Sequence, residues 1–529
     1  MWKRRILIII SLTILFFSSR LINLTLIPIF TDEAIYIRWG QIALQDPVHR
    51  FISLEDGKQP MFVWLMLPAL KWISDPLLAG RLVSVISGTL TLAGLIVLSW
   101  KLFGEKIGWM SGFIYIISPF FLLYDRLALY DSLTTALMVW ALFLTILMSE
   151  YLRLDIALLL GMTIGAGFLT KSSAQFSLIL LSSTLLLFDW KTKERRKRLL
   201  KLAGLGIVAT LLSKGIELIL RLAPLSHMIG LKDHTFIVTN QEFIAHPFER
   251  LFGNLGGLWS WIQSYATYPL MVLFIIGLIY GLKRYRAKTL FLSLWFLVPF
   301  LALASFGKVL YPRYLLFMLA PLLPIMSLGL SYATSKVLIF FGRTLNFWLS
   351  KNSAGTPEPR TRALATHGRR PWEQVSVVLG SFIILLYPAY FSYKIIYDPI
   401  SAPLPAVDRF QLLDDWPSGY GINEVVDYIK LRAKDEKIFV GTEGTFGLTP
   451  AALNIYLKDN KNVEVKGYWP VDTSIKELTE IALTGKPTFL LLKDTQAPKP
   501  EWPVEVVGKW RKGKSEVYSI LLQFKSVGQ

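Results

Sequence analysis

The feature that most constrains this chain of 529 residues is a series of apolar stretches, each close in length to a membrane-spanning helix. About 20 mostly apolar residues are needed to cross the hydrocarbon core of a bilayer. The composition agrees, because 53% of the residues are hydrophobic and only 18% are charged, whereas soluble domains average about 25% charged residues. These proportions exclude a disordered, collagen-like or ordinary soluble protein and indicate a multi-spanning membrane protein.

Eleven segments have the length and apolar character of spans, and they lie near residues 6–27, 80–101, 108–124, 130–150, 155–170, 172–190, 202–224, 265–282, 289–305, 314–341 and 373–396. Segment 61–74 is apolar but too short to span, and it is expected to lie at the membrane interface. We therefore expect an all-α polytopic membrane domain over residues 1–397. The N-terminus also resembles a signal peptide, but its apolar pattern continues to Phe30, which favours a retained first helix.

Lysine and arginine collect in the short loops between these segments. The basic loops are 102–107, 151–154, 191–201, 283–288 and the Pro-containing linker 342–372, together with the N-terminal residues. Positive loops face the cytoplasm. With the N-terminus inside and eleven spans, all of them lie on that side, which predicts a multi-pass plasma-membrane protein with a cytoplasmic N-terminus. The formal charge of +19 is thereby explained by topology, and no nucleic-acid partner is expected.

From residue 398 the apolar runs shorten and the charge rises. Strands are predicted at 438–442, 462–466, 488–493 and 515–524, and helices at 423–434, 448–458 and 474–483. Strands alternating with helices favour a small α/β domain over residues 398–529. Because an odd number of spans precedes it, this domain is expected to be extracytoplasmic. No motif in it indicates chemistry, and both substrate contact and packing on the membrane part remain open.

Polar residues of the membrane part gather at the helix ends predicted to be outside. They lie in the outer loop 28–60 and at three later turns, and include Asp32, Glu33, Lys58, Asp125, Arg126, Asp131, Thr170, Lys171, Lys308, Tyr311, Arg313 and Tyr314. Charges near the hydrocarbon are costly unless they face a polar cavity or a partner. Fixed cations suit a lipid-linked phosphate, and a nearby carboxylate could take the proton of an attacking hydroxyl. The pattern predicts transfer of a group from a lipid phosphate to an alcohol.

Several of these residues also have simpler, purely structural interpretations. An Asp-Glu pair in a loop is often only solvated. Arg81 and Lys171 could extend their ammonium or guanidinium groups to the interface, and Tyr311 and Tyr314 could form an interfacial aromatic belt. The chain has no cysteine, and the spacing of His227, His234 and His246 fits no metal motif, so no cofactor and no metal site are expected.

Six motifs in a fixed order resemble one family. They are TDEAIY (31–36), KQPMFVW (58–64), AGRLVSVISG (79–88), YDRLALYDSL (124–133), GAGFLTKSSA (165–174) and YPRYLLFMLAPLLP (311–324). Their order is similar to that of the protein mannosyltransferase and aminoarabinose transferase group, over about residues 1–330. This resemblance implies a polytopic glycosyltransferase of the C fold (GT-C) that uses a polyprenyl-phosphate sugar donor.

The resemblance also implies roles for individual residues. Asp32 matches the family's first-loop aspartate, the proposed general base, and Glu33 matches its acidic neighbour, so both are expected to be catalytic. The implied ligands of the donor phosphate are Lys58, Arg126, Lys171 and Arg313. Asp131, Arg81, Tyr311 and Tyr314 are expected to support the site. The family is generally treated as needing no metal for catalysis.

The expected function is therefore hexosyl or pentosyl transfer, with inversion, on the outer face of the membrane. The expected partners are the lipid-linked donor, membrane lipids and an acceptor protein, glycolipid or glycan. A transporter or flippase of lipid-linked or small anionic solutes is the alternative, although no internal repeat favours it. Oligosaccharide transfer to asparagine is disfavoured because the usual Trp-Trp-Asp signature is absent from the C-terminal domain.

Overall fold

A computed structural model describes residues 2–336 and 385–525 of the chain. The helices of its membrane part are α1 (Trp2–Leu21), α2 (Thr31–Gln45), α3 (Met61–Trp72), α4 (Pro76–Phe103), α5 (Glu105–Ile117), α6 (Pro119–Asp125), α7 (Tyr130–Tyr151), α8 (Leu154–Phe168), α9 (Ser172–Leu186), α10 (Arg195–Glu217), α11 (Met228–Phe236), α12 (Asn240–Ala245), α13 (Leu251–Arg284), α14 (Arg286–Phe306), α15 (Pro312–Lys336) and α16 (385–397). The predicted helical polytopic architecture is confirmed.

The number of spans depends on how the short and bent helices are counted. Among the described residues, six helices are long and apolar enough to cross a membrane, or up to seven if α5 and α6, which meet at 66°, form one broken span. Helix α8 has only 15 residues, and α9 is interrupted by 3-10 turns. The predicted linker 342–372 and half of the predicted span 373–396 lie outside the described residues. The count of eleven and the orientation of the termini thus stay predictions.

Small residues allow the helices of the bundle to approach closely. On α8, a Cβ added to Gly161 would lie 2.8 Å from the carbonyl oxygen of Ala209 on α10. Between α13 and α15 the fit is tighter, since a Cβ on Gly277 would lie 1.9 Å from the Ile325 carbonyl oxygen. Close backbone approach through small residues is the usual way in which helices associate where no hydrophobic effect drives them together.

A buried ion pair ties the first helix to the bundle. The guanidinium of Arg20, at the end of α1, lies 3.2 Å from the carboxylate of Asp125 at the end of α6, and both side chains are buried. The Tyr115 hydroxyl donates to the same carboxylate at 2.8 Å. Buried charges are tolerated when they are paired and hydrogen-bonded in this way, so Asp125 serves the packing of three helices.

The C-terminal domain is a five-stranded sheet in the order β2-β1-β3-β5-β4 with helices on it. Its elements are β1 (Ile438–Glu443), β2 (Val463–Tyr468), β3 (Thr488–Leu492), β4 (Val504–Arg511), β5 (Tyr518–Phe524), α17 (Ile422–Arg432), α18 (Leu448–Leu457) and α19 (Ile475–Leu483). Strands β1, β2 and β3 are parallel, and β5 runs antiparallel to β3 and β4. The predicted α/β character is confirmed. The sequence missed only β4, an edge strand with a bulge between Val506 and Gly508.

The C-terminal domain packs on helix α2. The Gln41 side-chain amide donates to the Ile455 carbonyl oxygen at 3.0 Å, and the Thr31 backbone N–H donates to the Pro417 carbonyl oxygen, also at 3.0 Å. The first turn of α2 therefore lies between the helical bundle and the C-terminal domain. Since that turn contains Asp32 and Glu33, the interface fixes the position of both acids.

Candidate active site

A cavity of about 460 Å³ opens where several of the predicted outer turns meet. One side is polar and charged, and the other is made of apolar side chains from α11, α14 and α15. The polar lining includes Lys58, Asp131, Lys171, Lys232, Asp233 and Arg313, and the apolar lining includes Phe236, Leu303, Phe306, Phe317 and Met318. The cavity is therefore amphipathic, with four basic groups next to an apolar surface.

A chain of alternating charges runs along the polar side. The Arg313 guanidinium donates to the Asp32 carboxylate at 2.8 Å and lies 4.0 Å from the carboxylate of Asp131. The Lys171 ammonium contacts the other oxygen of Asp131 at 2.6 Å. Asp32 at the start of α2, Asp131 on α7 and Arg313 on α15 are thus brought to one place, although they are far apart in sequence.

Lys58 is the exception among these cations. Its ammonium lies 5.1 Å from the centre of the Phe236 ring, and within residues 2–336 and 385–525 it has no hydrogen bond or ion pair. Burial lowers the pKa of Lys58, and the nearby Asp32 partly offsets this effect. A desolvated ammonium without a direct ion pair is a ready ligand for an anion.

The two predicted tyrosines pack against the basic groups. The Arg313 guanidinium lies 4.4 Å from the centre of the Tyr311 ring, and the Lys171 ammonium lies 4.5 Å from the centre of the Tyr314 ring. Such contacts with an aromatic face stabilise a cation by about 0.5–2 kcal/mol. They hold both cations in the cavity without neutralising their charge.

Glu33 and Arg81 are close to the cavity in sequence but are not part of its lining. Both side chains are fully buried, and they form a two-point ion pair with distances of 2.8 and 2.7 Å. Glu33 also accepts from the backbone N–H of Ala128 at 2.7 Å, and Arg81 donates to the carbonyl oxygens of Leu24 and Ile27. This arrangement anchors the first turn of α2 to α4 and gives Glu33 a positioning role.

Arg126, a predicted phosphate ligand, also points elsewhere. Its guanidinium donates to the backbone carbonyl oxygens of Ser19, Arg20, Ile22 and Asn23, at 2.7–2.9 Å. The last carbonyl groups of a helix have no partner within it, and Arg126 supplies that partner for α1. Arg126 therefore does not line the cavity with Lys58, Lys171 and Arg313, and its two terminal nitrogens donate to the backbone around the end of α1 instead.

The sequence interpretation missed Lys232 and Asp233 on α11, which line the cavity, and two polar residues from the segment that follows α16. The Gln411 side-chain oxygen accepts from Arg313 at 3.0 Å. Asp408 is buried and accepts from the hydroxyls of Tyr124 and Tyr265, and burial raises its pKa to about 6. A single Asp or Gln just after a span is not distinctive, so no sequence signal identified either residue.

Among the described residues there is no group of three or more His, Asp or Glu side chains placed to hold a metal ion. The cavity offers cations and carboxylates, and Asp32 adjoins it through Arg313. Together these groups can bind an anion at Lys58, Lys171 and Arg313, and they can accept a proton at Asp32.

Comparison with known proteins gives the same fold. Residues 57–215 match the family model described as dolichyl-phosphate-mannose-protein mannosyltransferase, a stretch that contains Lys58, Asp131 and Lys171. No curated protein matches the chain in sequence.

Three solved structures share the architecture. ArnT from Cupriavidus metallidurans bound to undecaprenyl phosphate is 15% identical, with a TM-score of 0.57 and 98% coverage of both chains. Its apo form gives 14% identity and a TM-score of 0.55, with the same coverage. The oligosaccharyltransferase AglB from Archaeoglobus fulgidus, in complex with an inhibitory peptide and a dolichol-phosphate, is 14% identical with a TM-score of 0.52, over 93% of this chain and 70% of that one. The predicted resemblance and GT-C fold are confirmed.

Proposed function

Because the chain has an ArnT-like fold over nearly its whole length, we propose that it is a membrane glycosyltransferase. It moves a sugar, with inversion, from a polyprenyl-phosphate donor to an acceptor hydroxyl. The observation that carries this proposal is the amphipathic cavity, in which cations adjoin an apolar wall. The ArnT structure with undecaprenyl phosphate bound supports a polyprenyl phosphate as the lipid.

The donor phosphate binds to Lys58, Lys171 and Arg313, and the lipid chain follows the apolar wall formed by α14 and α15. During transfer, the bond between the sugar's anomeric carbon and the phosphate oxygen breaks while the acceptor oxygen bonds to that carbon from the opposite face. The polyprenyl phosphate leaves with the electron pair. Cations already in place stabilise the charge that grows on the phosphate, without any cost of reorganisation.

Asp32 takes the proton of the acceptor hydroxyl. Its carboxylate is paired with Arg313 at 2.8 Å, so one of its oxygens is engaged by the guanidinium. A phosphate that engages Arg313 competes for the same guanidinium and releases Asp32. Donor binding thereby prepares the base, and Asp131 and Gln411, the other neighbours of Arg313, keep the guanidinium in the cavity during this exchange.

The test is Asp32→Asn, which keeps the size of the side chain but removes its basicity. General base assistance is worth about 10²–10⁴-fold, so turnover should fall by that factor while binding of the donor remains. Purified protein in detergent is incubated with labelled polyprenyl-phosphate sugar and an envelope extract as the acceptor pool, and release of polyprenyl phosphate is measured.

Asp46→Asn is the matched control, since Asp46 is an exposed carboxylate at the other end of α2 and its loss should not change the rate. Wild-type turnover by Asp32→Asn would refute the assignment. Detergent removes the membrane barrier, so product formed there also separates transfer from the transport alternative. We further propose that no metal takes part, in which case a chelator leaves the rate unchanged.

A further inference from the structure

The C-terminal sheet contains a point at which its connections diverge. From β1 the chain crosses through α18 to β2 on one side, whereas from β3 it continues towards β4 and β5 on the other. In open α/β sheets, the crevice at the carboxyl ends of two such neighbouring strands is where ligands bind. Here that crevice lies between the loop 444–447, which follows β1, and Lys493, which follows β3.

Two buried charged side chains hold these loops in place. Glu443 is buried, and its carboxylate accepts from the backbone N–H of Lys493 at 2.7 Å and from the hydroxyl of Thr495. The ammonium of Lys512, also buried, donates to the carbonyl oxygens of Trp416 and Lys493, both at 3.3 Å. These contacts of Glu443 and Lys512 hold the two loops on either side of the crevice in place.

Lys493 is different, because its ammonium is left available. It lies 4.3 Å from the centre of the Trp416 ring, and in the described parts of the chain no carboxylate or hydrogen-bond acceptor pairs with it. Burial lowers the pKa of Lys493, with Glu443 acting in the opposite direction. Phe446 and Trp469, which follow β1 and β2, add two largely exposed rings at the carboxyl ends of the strands.

The crevice adjoins the proposed base. The Thr31 backbone N–H donates to the carbonyl oxygen of Pro417, which follows Trp416, and a Cβ on Gly447 would lie 3.7 Å from the Thr31 side chain. Thr31 therefore contacts Pro417, next to Trp416, and the 444–447 loop, and the next residue in the chain is Asp32. A molecule held between Trp416 and the 444–447 loop lies beside the first turn of α2, which carries Asp32.

We propose that this crevice binds the acceptor, and that the acceptor is a saccharide carrying an acidic group. The aromatic rings of Trp416 and Phe446 offer flat apolar faces to a sugar ring, and the Lys493 ammonium supplies the counter-charge for a phosphate or carboxylate on it. This inference rests on the proposed transferase function. The donor then occupies the cavity beyond Asp32, and the acceptor reaches Asp32 from the side of the C-terminal domain.

The test uses glucose 6-phosphate as the probe and full-length protein in detergent micelles, with saturation-transfer NMR as the readout. We expect glucose 6-phosphate to bind with at least fivefold higher affinity than glucose or inorganic phosphate. Lys493→Gln should remove this preference, and Lys493→Arg should restore most of it. Lys486→Gln is the matched control. The Lys486 ammonium also lies over a ring, 5.2 Å from the centre of Phe439, but at the amino end of β3, away from the crevice.

Equal affinity for glucose or for inorganic phosphate would overturn the proposal, as would binding that Lys493→Gln leaves intact. Binding lost on Lys58→Gln instead would place the probe in the donor cavity and would also overturn it. Because the readout is binding and needs no turnover, its failure is distinguishable from failure of the proposed transfer, which the Asp32→Asn assay reports separately.

Discussion

Replacing Arg126 with leucine separates two roles for this residue, phosphate binding and helix capping. The resemblance implied that Arg126 binds the donor phosphate, whereas in the structure its guanidinium donates to four carbonyl oxygens around the end of α1. Arg126→Leu keeps an apolar side chain of moderate size in a buried position and removes all four hydrogen bonds. The capping role predicts lower stability with unchanged donor affinity.

The size of the effect follows from these contacts. A hydrogen bond to a charged group contributes about 1.5–3 kcal/mol, but only the bond to the Arg20 carbonyl is fully buried, and the other three are partly accessible to water. Water can therefore replace part of what is lost. We expect a loss of about 3–5 kcal/mol, the range seen when one partner of a buried charged contact is removed.

Thermal unfolding in detergent measures this loss, and the midpoint should fall by roughly 6–20 °C, since about 1 kcal/mol corresponds to 2–4 °C in a domain of 150–250 residues. Arg153→Leu is the control, because the Arg153 side chain is 66% exposed and its removal should change the unfolding free energy by less than about 0.5 kcal/mol. A normal melting temperature together with a raised donor KM would refute the capping role.

Three further outcomes are expected. Lys58→Gln should raise the donor KM about tenfold or more, because it removes the one cavity ammonium that makes no hydrogen bond or ion pair among the described residues, and donor titration of the purified enzyme checks this. The pKa of Asp408 is raised from 3.8 to about 6, so folding favours the protonated acid and stability falls by about 3 kcal/mol as the pH rises through that window. Asp408→Asn should abolish this fall. Melting temperatures of the wild type and the variant, measured from pH 4 to 8, would contradict the prediction if both change with pH in the same way. Gly277→Ala should destabilise strongly because its Cβ would overlap the Ile325 carbonyl, whereas Gly204→Ala, with open space around it, should be neutral or slightly stabilising, and comparable melting temperatures for the two would contradict this packing.

The fold was largely predictable from the sequence because its signals are local. Apolar length predicts a helix in a membrane, and the alternation of strand and helix patterns predicts the C-terminal sheet, with boundaries within one or two residues for α17 and α18. Strand β4 was missed because it lies at the sheet edge, where exposed charged residues replace the apolar alternation. The number of spans was harder, since α9 combines an apolar composition with interrupted helical geometry.

The site was only partly predictable, because sequence gives the chemistry of a side chain and not its direction. Lys58, Lys171 and Arg313 reach the cavity as the motifs implied. Arg126 belongs to the same motifs, but it turns towards the end of α1, and nothing in its sequence context distinguishes it from the other basic residues. Gln411 comes from a segment about 100 residues after Arg313, and only tertiary structure brings the two together.

The Glu33–Arg81 pair has a consequence for how this chain can diverge. Both side chains are completely enclosed. Replacing either residue alone with a neutral one leaves an unpaired charge in the interior, which costs about 3–5 kcal/mol. A well-packed neutral pair at both positions is, by contrast, physically acceptable. We therefore expect positions 33 and 81 to change together or not at all among descendants of this sequence.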